Sequence, residues 1–169
     1  LGSIKNVGYD AISNIVDERE KNGKFKSISD FINRVNHKDI NKLQLEGLVK
    51  AGVFDEINNN RAALYETIPY LILKSKNLDD NKLTNQFDLF IDKDVPKDDF
   101  INDIDDWKFE DRLSKEFESI GFFISDHPLN QFKDIYGEFK IDNYENFSNS
   151  DNLKEAKIAA TILKVQERK

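Results

Sequence analysis

Cysteine is absent from these 169 residues, which excludes a disulfide framework, a thiolate metal site and a cysteine nucleophile. Histidine is scarce: His37 and His127 are too few and too far apart to suggest a metal centre. No apolar run reaches the roughly 18 residues of a membrane span, and no charged-then-apolar leader is present, so neither a span nor a secretory signal is expected and the setting expected is cytoplasmic. Methionine is also missing, even at position 1, and the chain reads as a piece of a longer protein. A 38% hydrophobic content is enough for a modest core.

The net charge of −7 argues against a simple basic nucleic-acid binder, but the charge is unevenly spread. Residues 1–82 carry 13 basic and 12 acidic side chains, a balance of +1, whereas residues 83–169 carry 12 and 20, a balance of −8. If nucleic acid is bound, the first half binds it.

Asn6-Val7-Gly8 is a tight-turn signal, and Ala11, Ile12, Ile15 and Val16 follow it at helical spacing. Asn6 and Gly8 tolerate positive φ, so backbone N–H groups can converge at a helix N-terminus, where a phosphate is well held. The alternative is an ordinary turn between packed helices, which composition alone favours. The first helix stops at Asn22-Gly23. A second helix presents Ile28, Phe31, Ile32 and Val35 on one face behind Ser27 or Ser29 as cap. Residues 21–50 hold seven basic and three acidic side chains, either a solvated face or a patch that tracks a phosphate backbone. A third helix starts at Asp39 or Asn41 and ends at Ala51-Gly52, with Val53-Phe54 folding back onto it. Asn58-Asn59-Asn60 is a polar cap region for a fourth, over residues 61–76, in which Pro69 predicts a kink or a break. Helix, glycine-containing turn and helix thus occur twice, a compact all-α unit.

Beyond it the pattern changes. Gln86-Phe87-Asp88-Leu89-Phe90 sets two large apolar residues side by side in a polar stretch, as a docking peptide does. Seven aspartates then crowd residues 92–106, read as a solvated linker in preference to a metal site because no glycine-centred calcium loop is present. Phe109, Leu113, Phe117 and Ile120 fit a helix closed by Gly121 with its charges outside. His127 precedes Pro128 and is expected to make a structural hydrogen bond. Ile158, Thr161, Ile162 and Val165 read as one strand whose partners would lie beyond Lys169.

Taken in order, Ile4-Lys5-Asn6-Val7-Gly8, Phe25-Lys26-Ser27-Ile28-Ser29-Asp30-Phe31, Leu48-Val49-Lys50-Ala51-Gly52-Val53-Phe54-Asp55, Asn60-Arg61-Ala62-Ala63-Leu64, the peptide at 86–90 and Glu118-Ser119-Ile120-Gly121-Phe122-Phe123-Ile124-Ser125-Asp126-His127-Pro128-Leu129 make the chain resemble the C-terminal region of the α subunit of bacterial DNA polymerase III, the replicative C-family polymerase. Any one of these stretches is a weak signal; their order over nearly the whole chain is specific.

The resemblance implies a mainly α fold: a tandem helix-hairpin-helix unit at residues 1–77, an acidic linker at 78–106, a helical connector at 107–153, and at 154–169 the first strand of a truncated barrel of the oligonucleotide-binding (OB) type. It implies that Lys5, Asn6, Val7, Gly8 and Tyr9 meet the sugar-phosphate backbone of duplex DNA, and that Gln86, Phe87, Asp88, Leu89 and Phe90 bind the sliding clamp. Leu89 and Phe90 would fill a pocket, with Gln86 at its rim. Other replisome subunits are the further implied partners. Asn6 stands where the family usually has glycine. The parent polymerase would use Mg, but no Asp here matches its catalytic carboxylates, so no catalytic residue, metal ligand or cofactor is assigned within these residues. The alternatives are a DNA-repair helix-hairpin-helix factor with a clamp-binding peptide, and a helical protein–protein adaptor that binds no nucleic acid.

Overall fold

A computed structural model describes residues 3–83, 98–142, 144–149, 155–163 and 165–168. The chain divides into two compact units, Leu1–Phe123 and Ile124–Lys169. The expected docking peptide at 86–90 lies outside the described residues.

In the first unit, α1 (Tyr9–Asn22), α2 (Ile28–Arg34), α3 (Lys42–Lys50), α4 (Arg61–Leu83) and α5 (Phe109–Ile120) enclose one core. A 3-10 turn at His37–Asp39 joins α2 to α3. The apolar stripes are those the spacing predicts: Ile12 and Ile15 from α1, Ile28, Phe31 and Ile32 from α2, and Leu45, Leu48 and Val49 from α3 are buried together with Leu64, Ile68 and Leu71 of α4. Phe31 sits edge-on to both Phe25 and Phe54, with ring centroids 5.1 and 5.0 Å away.

The helix ends follow local chemistry. Ser27 Oγ accepts from Asp30 N–H at the start of α2. Asn41 and Gln44 form a reciprocal capping box on α3, and Asn60 Oδ1 accepts from Ala63 N–H at the start of α4. Gly23 and Gly121 close α1 and α5 at φ 84° and 92°. Arg34 is the rivet between α1 and α2: it donates to Glu18 Oε1 at 2.9 Å, to Asp30 Oδ2 at 3.1 Å and to the Gly23 carbonyl at 2.8 Å, and lies over the Phe25 ring. Its hydrogen bond holds the Glu18 carboxyl below the usual carboxylate range.

Three expectations are corrected. First, α4 runs from Arg61 to Leu83 without a break at Pro69, because neighbouring Ile68 and Leu71 are buried and packing outweighs the single N–H that proline cannot donate. Second, the described part of the acidic stretch is pinned to the fold at Asp98 and Asp106, while Asp99, Asp103 and Asp105 between them are exposed to solvent. Asp98 accepts from Ile28 and Ser29 N–H at 2.8 Å each, at the N-terminus of α2, and Asp106 Oδ1 accepts from Ala62 N–H at 2.9 Å, at the N-terminus of α4. Helix N-termini attract carboxylates, and Phe100, Ile101 and Trp107 pack against the core between and beside them. Third, the buried stripe of α5 is Leu113, Glu116, Ser119 and Ile120, while Phe109 is exposed. Residues 155–163 and 165–168 have no ladder partner among the described residues, and Ile158, Ile162 and Val165 are exposed.

Glu116 is buried because it meets an equally buried cation. Arg61 Nη1 lies 3.1 Å from Glu116 Oε2 and 3.1 Å from the Lys50 carbonyl, while its Nε and Nη2 fork onto Asp55 at 2.9 and 2.7 Å. Arg112 extends the network, donating to Asp55 Oδ2 at 2.9 Å and to Asp106 Oδ2 at 2.7 Å. Gly52, at φ 73°, opens the turn after α3 directly against the Arg61 guanidinium, which a Cβ there would overlap.

In the second unit, a 3-10 turn at Pro128–Phe132 leads into α6 (Lys133–Phe139), and α7 (Tyr144–Ser148) follows. His127 Nδ1 accepts from Leu129 N–H at 3.2 Å, the structural hydrogen bond its position predicts. Tyr136 Oη donates to the Leu129 carbonyl at 2.6 Å.

Replacing Gly52 by Ala should cost about 2–4 kcal/mol, since it combines a left-handed backbone with displacement of a buried guanidinium. Chemical denaturation followed by circular dichroism measures it, and a loss under about 1 kcal/mol would show that Arg61 is free to move aside.

Candidate nucleic-acid interface

The first hairpin is a four-residue turn in which Val7 N–H donates to the Ile4 carbonyl at 3.3 Å. Its third residue, Asn6, sits at φ 65°, in the left-handed region that asparagine tolerates better than most side chains. Ile4 and Val7 are buried and anchor the turn, and Gly8 leads out of it into α1. Gly8 itself has φ −68° and ψ 150°, an extended backbone open to any residue, so of the two residues that tolerate positive φ only Asn6 adopts it.

No side chain caps α1. In this unit α2, α3 and α4 each carry an Asn, Ser or Asp oxygen on their first amides, whereas α1, like α5, has no side-chain cap. Nothing lies within 4 Å of the place a Gly8 Cβ would occupy, which leaves the backbone approachable. Tyr9 is 78% exposed beside it. Asp10, in the first turn, favours the helix dipole but opposes a second anion, so an anion there would have to approach from the Gly8 side.

Lys5 is placed differently from the expectation of a free phosphate contact. Its N–H donates to the Ser119 carbonyl at 2.9 Å and its Nζ to the Glu118 carbonyl at 2.8 Å, at the last turn of α5. The side chain is nonetheless exposed, and an ammonium has three donors, so one bond leaves it able to take an anion as well. The structure thus brings Lys5, Asn6, Val7, Gly8 and Tyr9 together at one turn; Val7 faces the core there, and the other four lie at the surface.

The basic run at 21–50 is largely occupied. Arg34 is held by Glu18 and Asp30, Lys24 by Glu56, Lys42 by Glu46, and Lys50 by Glu118. Its excess of charge in sequence is therefore in good part balanced across the fold. Among the described residues, no group of three or more His, Cys, Asp or Glu side chains is arranged to hold a metal ion, and no helix is long and apolar enough to cross a membrane.

Sequence reasoning missed two residues that matter here. Gly47 lies inside α3, and a Cβ on it would come within 3.0 Å of the Lys5 carbonyl and 3.1 Å of Ile4 Cγ2. Ser119 is buried, with Oγ donating to the Gly47 carbonyl at 2.9 Å. A glycine in the middle of a helical pattern is the signal that a backbone approaches closely, and it was available at position 47. Ser119 gave no comparable signal.

The chain's matches to known proteins follow the same segment. A family model described as the helix-hairpin-helix motif matches residues 1–64. The protein named DNA polymerase III subunit alpha of Rickettsia bellii is 36% identical over 171 residues, covering 99% of this chain and 14% of that protein. Its namesake in Borreliella burgdorferi is 38% identical over 143 residues, covering 82% of this chain and 12% of that protein, and that of Campylobacter jejuni is 29% identical over 170 residues, covering 99% and 14%. The chain therefore spans about one seventh of the length of such relatives.

An alanine at position 6 should cost about 1 kcal/mol through the left-handed backbone, whereas glycine should cost nothing or stabilise. Thermal denaturation of the two variants checks this, and equal losses would mean that the Asn6 side chain matters more than its φ.

Proposed function

Because the chain belongs to the DNA polymerase III subunit alpha family, we propose that it serves a replicative DNA-directed DNA polymerase as the segment that grips duplex DNA by its backbone and ties the polymerase to the sliding clamp. The observation that carries the first half is the uncapped N-terminus of α1 behind a hairpin whose third residue takes the left-handed conformation. Amides in that arrangement have a partial positive charge and, among the described residues, no side-chain cap, and a phosphate oxygen supplies a partner. Such a contact reads no bases. A polymerase that moves over every sequence needs this indifference.

The clamp half rests on residues 86–90. Burying Leu89 and Phe90 is worth about 1.5–3 kcal/mol each, while ordering five residues costs about 1–2 kcal/mol apiece. Alone, the peptide binds weakly. Tethered to DNA that the clamp already encircles, it meets the clamp at an effective concentration of about millimolar, and two weak contacts become one durable attachment. The OB-type barrel strand proposed for residues 154–169 belongs to the same reading, as do the tandem arrangement of the hairpins and the other replisome partners.

Two experiments test the proposal. Duplex binding by the 169-residue chain should fall as salt is raised, and Gly8→Glu, which the open space around Gly8 accommodates, should abolish it by placing a carboxylate at the end of α1. Salt-insensitive binding, or an unaffected Gly8→Glu variant, would overturn the backbone grip and favour a protein-binding adaptor. Leu89→Ala with Phe90→Ala should remove clamp capture in a pull-down while duplex binding persists; retained capture would refute the assignment of residues 86–90.

A further inference from the structure

The helix-hairpin-helix match ends at residue 64, yet the hairpin it contains is not held by those residues alone. The Ile4–Gly8 turn rests on two supports. One is the bare face of α3 at Gly47, where the Lys5 carbonyl and Ile4 Cγ2 come so close that a methyl group at 47 would stand 3.0 and 3.1 Å from them. The other is the final turn of α5, more than fifty residues beyond the match, whose Ser119 and Glu118 carbonyls take the N–H and Nζ of Lys5. The two supports are themselves joined, since Ser119 Oγ donates to the Gly47 carbonyl at 2.9 Å, and Lys50 of α3 pairs with Glu118 at 3.2 Å.

We propose that Gly47 and Ser119 are positioning residues of the duplex contact: through this joined seat they fix where the Asn6–Tyr9 amides stand, so the DNA grip is a composite of the hairpin and α5 and not a property of the matched motif by itself. The inference rests on the reading that the hairpin meets the duplex backbone. A turn carried on Ile4 and Val7 alone would be free to rock, and a backbone amide misplaced by a few tenths of an ångström no longer donates well to a phosphate oxygen. The left-handed Asn6 makes the seat more consequential, since the turn holds a conformation it would leave if released.

The test compares Gly47→Ala, Ser119→Ala and Gly8→Glu in the 169-residue chain, well below the melting temperature of each. Alanine is the better helix former, so Gly47→Ala improves the local propensity of α3 while pushing the turn away. Both alanine variants should weaken duplex binding about fivefold, the weight of one hydrogen bond, and lower the slope of log K against log salt by about one phosphate contact. The amide resonances of Gly8 and Tyr9 should shift with them. Leu113→Ala, which weakens α5 elsewhere, should lower the melting temperature and leave affinity and slope unchanged. If Gly8→Glu abolishes binding while both alanine variants keep wild-type affinity and slope, the positioning role is overturned and the backbone grip stands. Should Gly8→Glu bind as well as wild type, the grip and the positioning role fall together. If Gly47→Ala does not fold, Ser119→Ala decides alone.

Discussion

Arg61 is where the first unit is joined. Its guanidinium is almost fully buried, yet it bonds to the turn after α3 through Asp55, to the end of α3 through the Lys50 carbonyl and to α5 through Glu116. A buried ion pair gains little over an apolar core of the same volume, but losing one partner strands the other, at a cost of several kcal/mol. The network therefore acts less as a source of stability than as a geometric condition. Helix α4 can begin only where its first side chain reaches Asp55, α5 can dock only with Glu116 facing inward, and position 52 has room for no side chain. The docking of α5 in turn supplies the carbonyls that hold Lys5, so the placement of the first turn depends on a salt bridge between α4 and α5.

Most of the helical frame was legible. Apolar residues at three- and four-residue spacing located the buried faces of α1 to α4, and serine, asparagine and glycine marked the ends. The failures share a cause: each concerned a polar group whose partner lies far away in sequence. Glu116 was assigned to the outside of α5 with the other charges, and Ser119 was given no role, because nothing within the helix reveals Arg61 or the Gly47 carbonyl. Asp98 and Asp106 were read as repelling, solvated charges because the helix N-termini that attract them lie 70 and 44 residues upstream. Periodicity reports which face is buried, not what a charged side chain will find there.

The candidate site shows the same division. The turn, the left-handed residue and the free helix end came from the Asn6-Val7-Gly8 pattern. The basic run that was to have supported it is drawn off into pairs with Glu18, Asp30, Glu46, Glu56 and Glu118, so the electrostatic attraction is smaller than the residue count suggests. Under the proposed function, a modest grip combined with a weak peptide would suit a polymerase that must hold DNA without being pinned to one place on it, because each contact could break while the other persists.

The capping role of Asp98 has a consequence for length. It fixes the chain to the start of α2, so that the fourteen residues at 84–97 run between the end of α4 and a bonded aspartate within one unit. Closing a loop becomes harder only with the logarithm of its size, so doubling such a segment adds about 0.6 kcal/mol. Residues can accordingly be added to or removed from the sequence between residues 83 and 98 with little penalty to the fold of the described residues. Under the proposed function, the span over which residues 86–90 reach a partner would then be free to vary while the hairpin stays where α5 holds it.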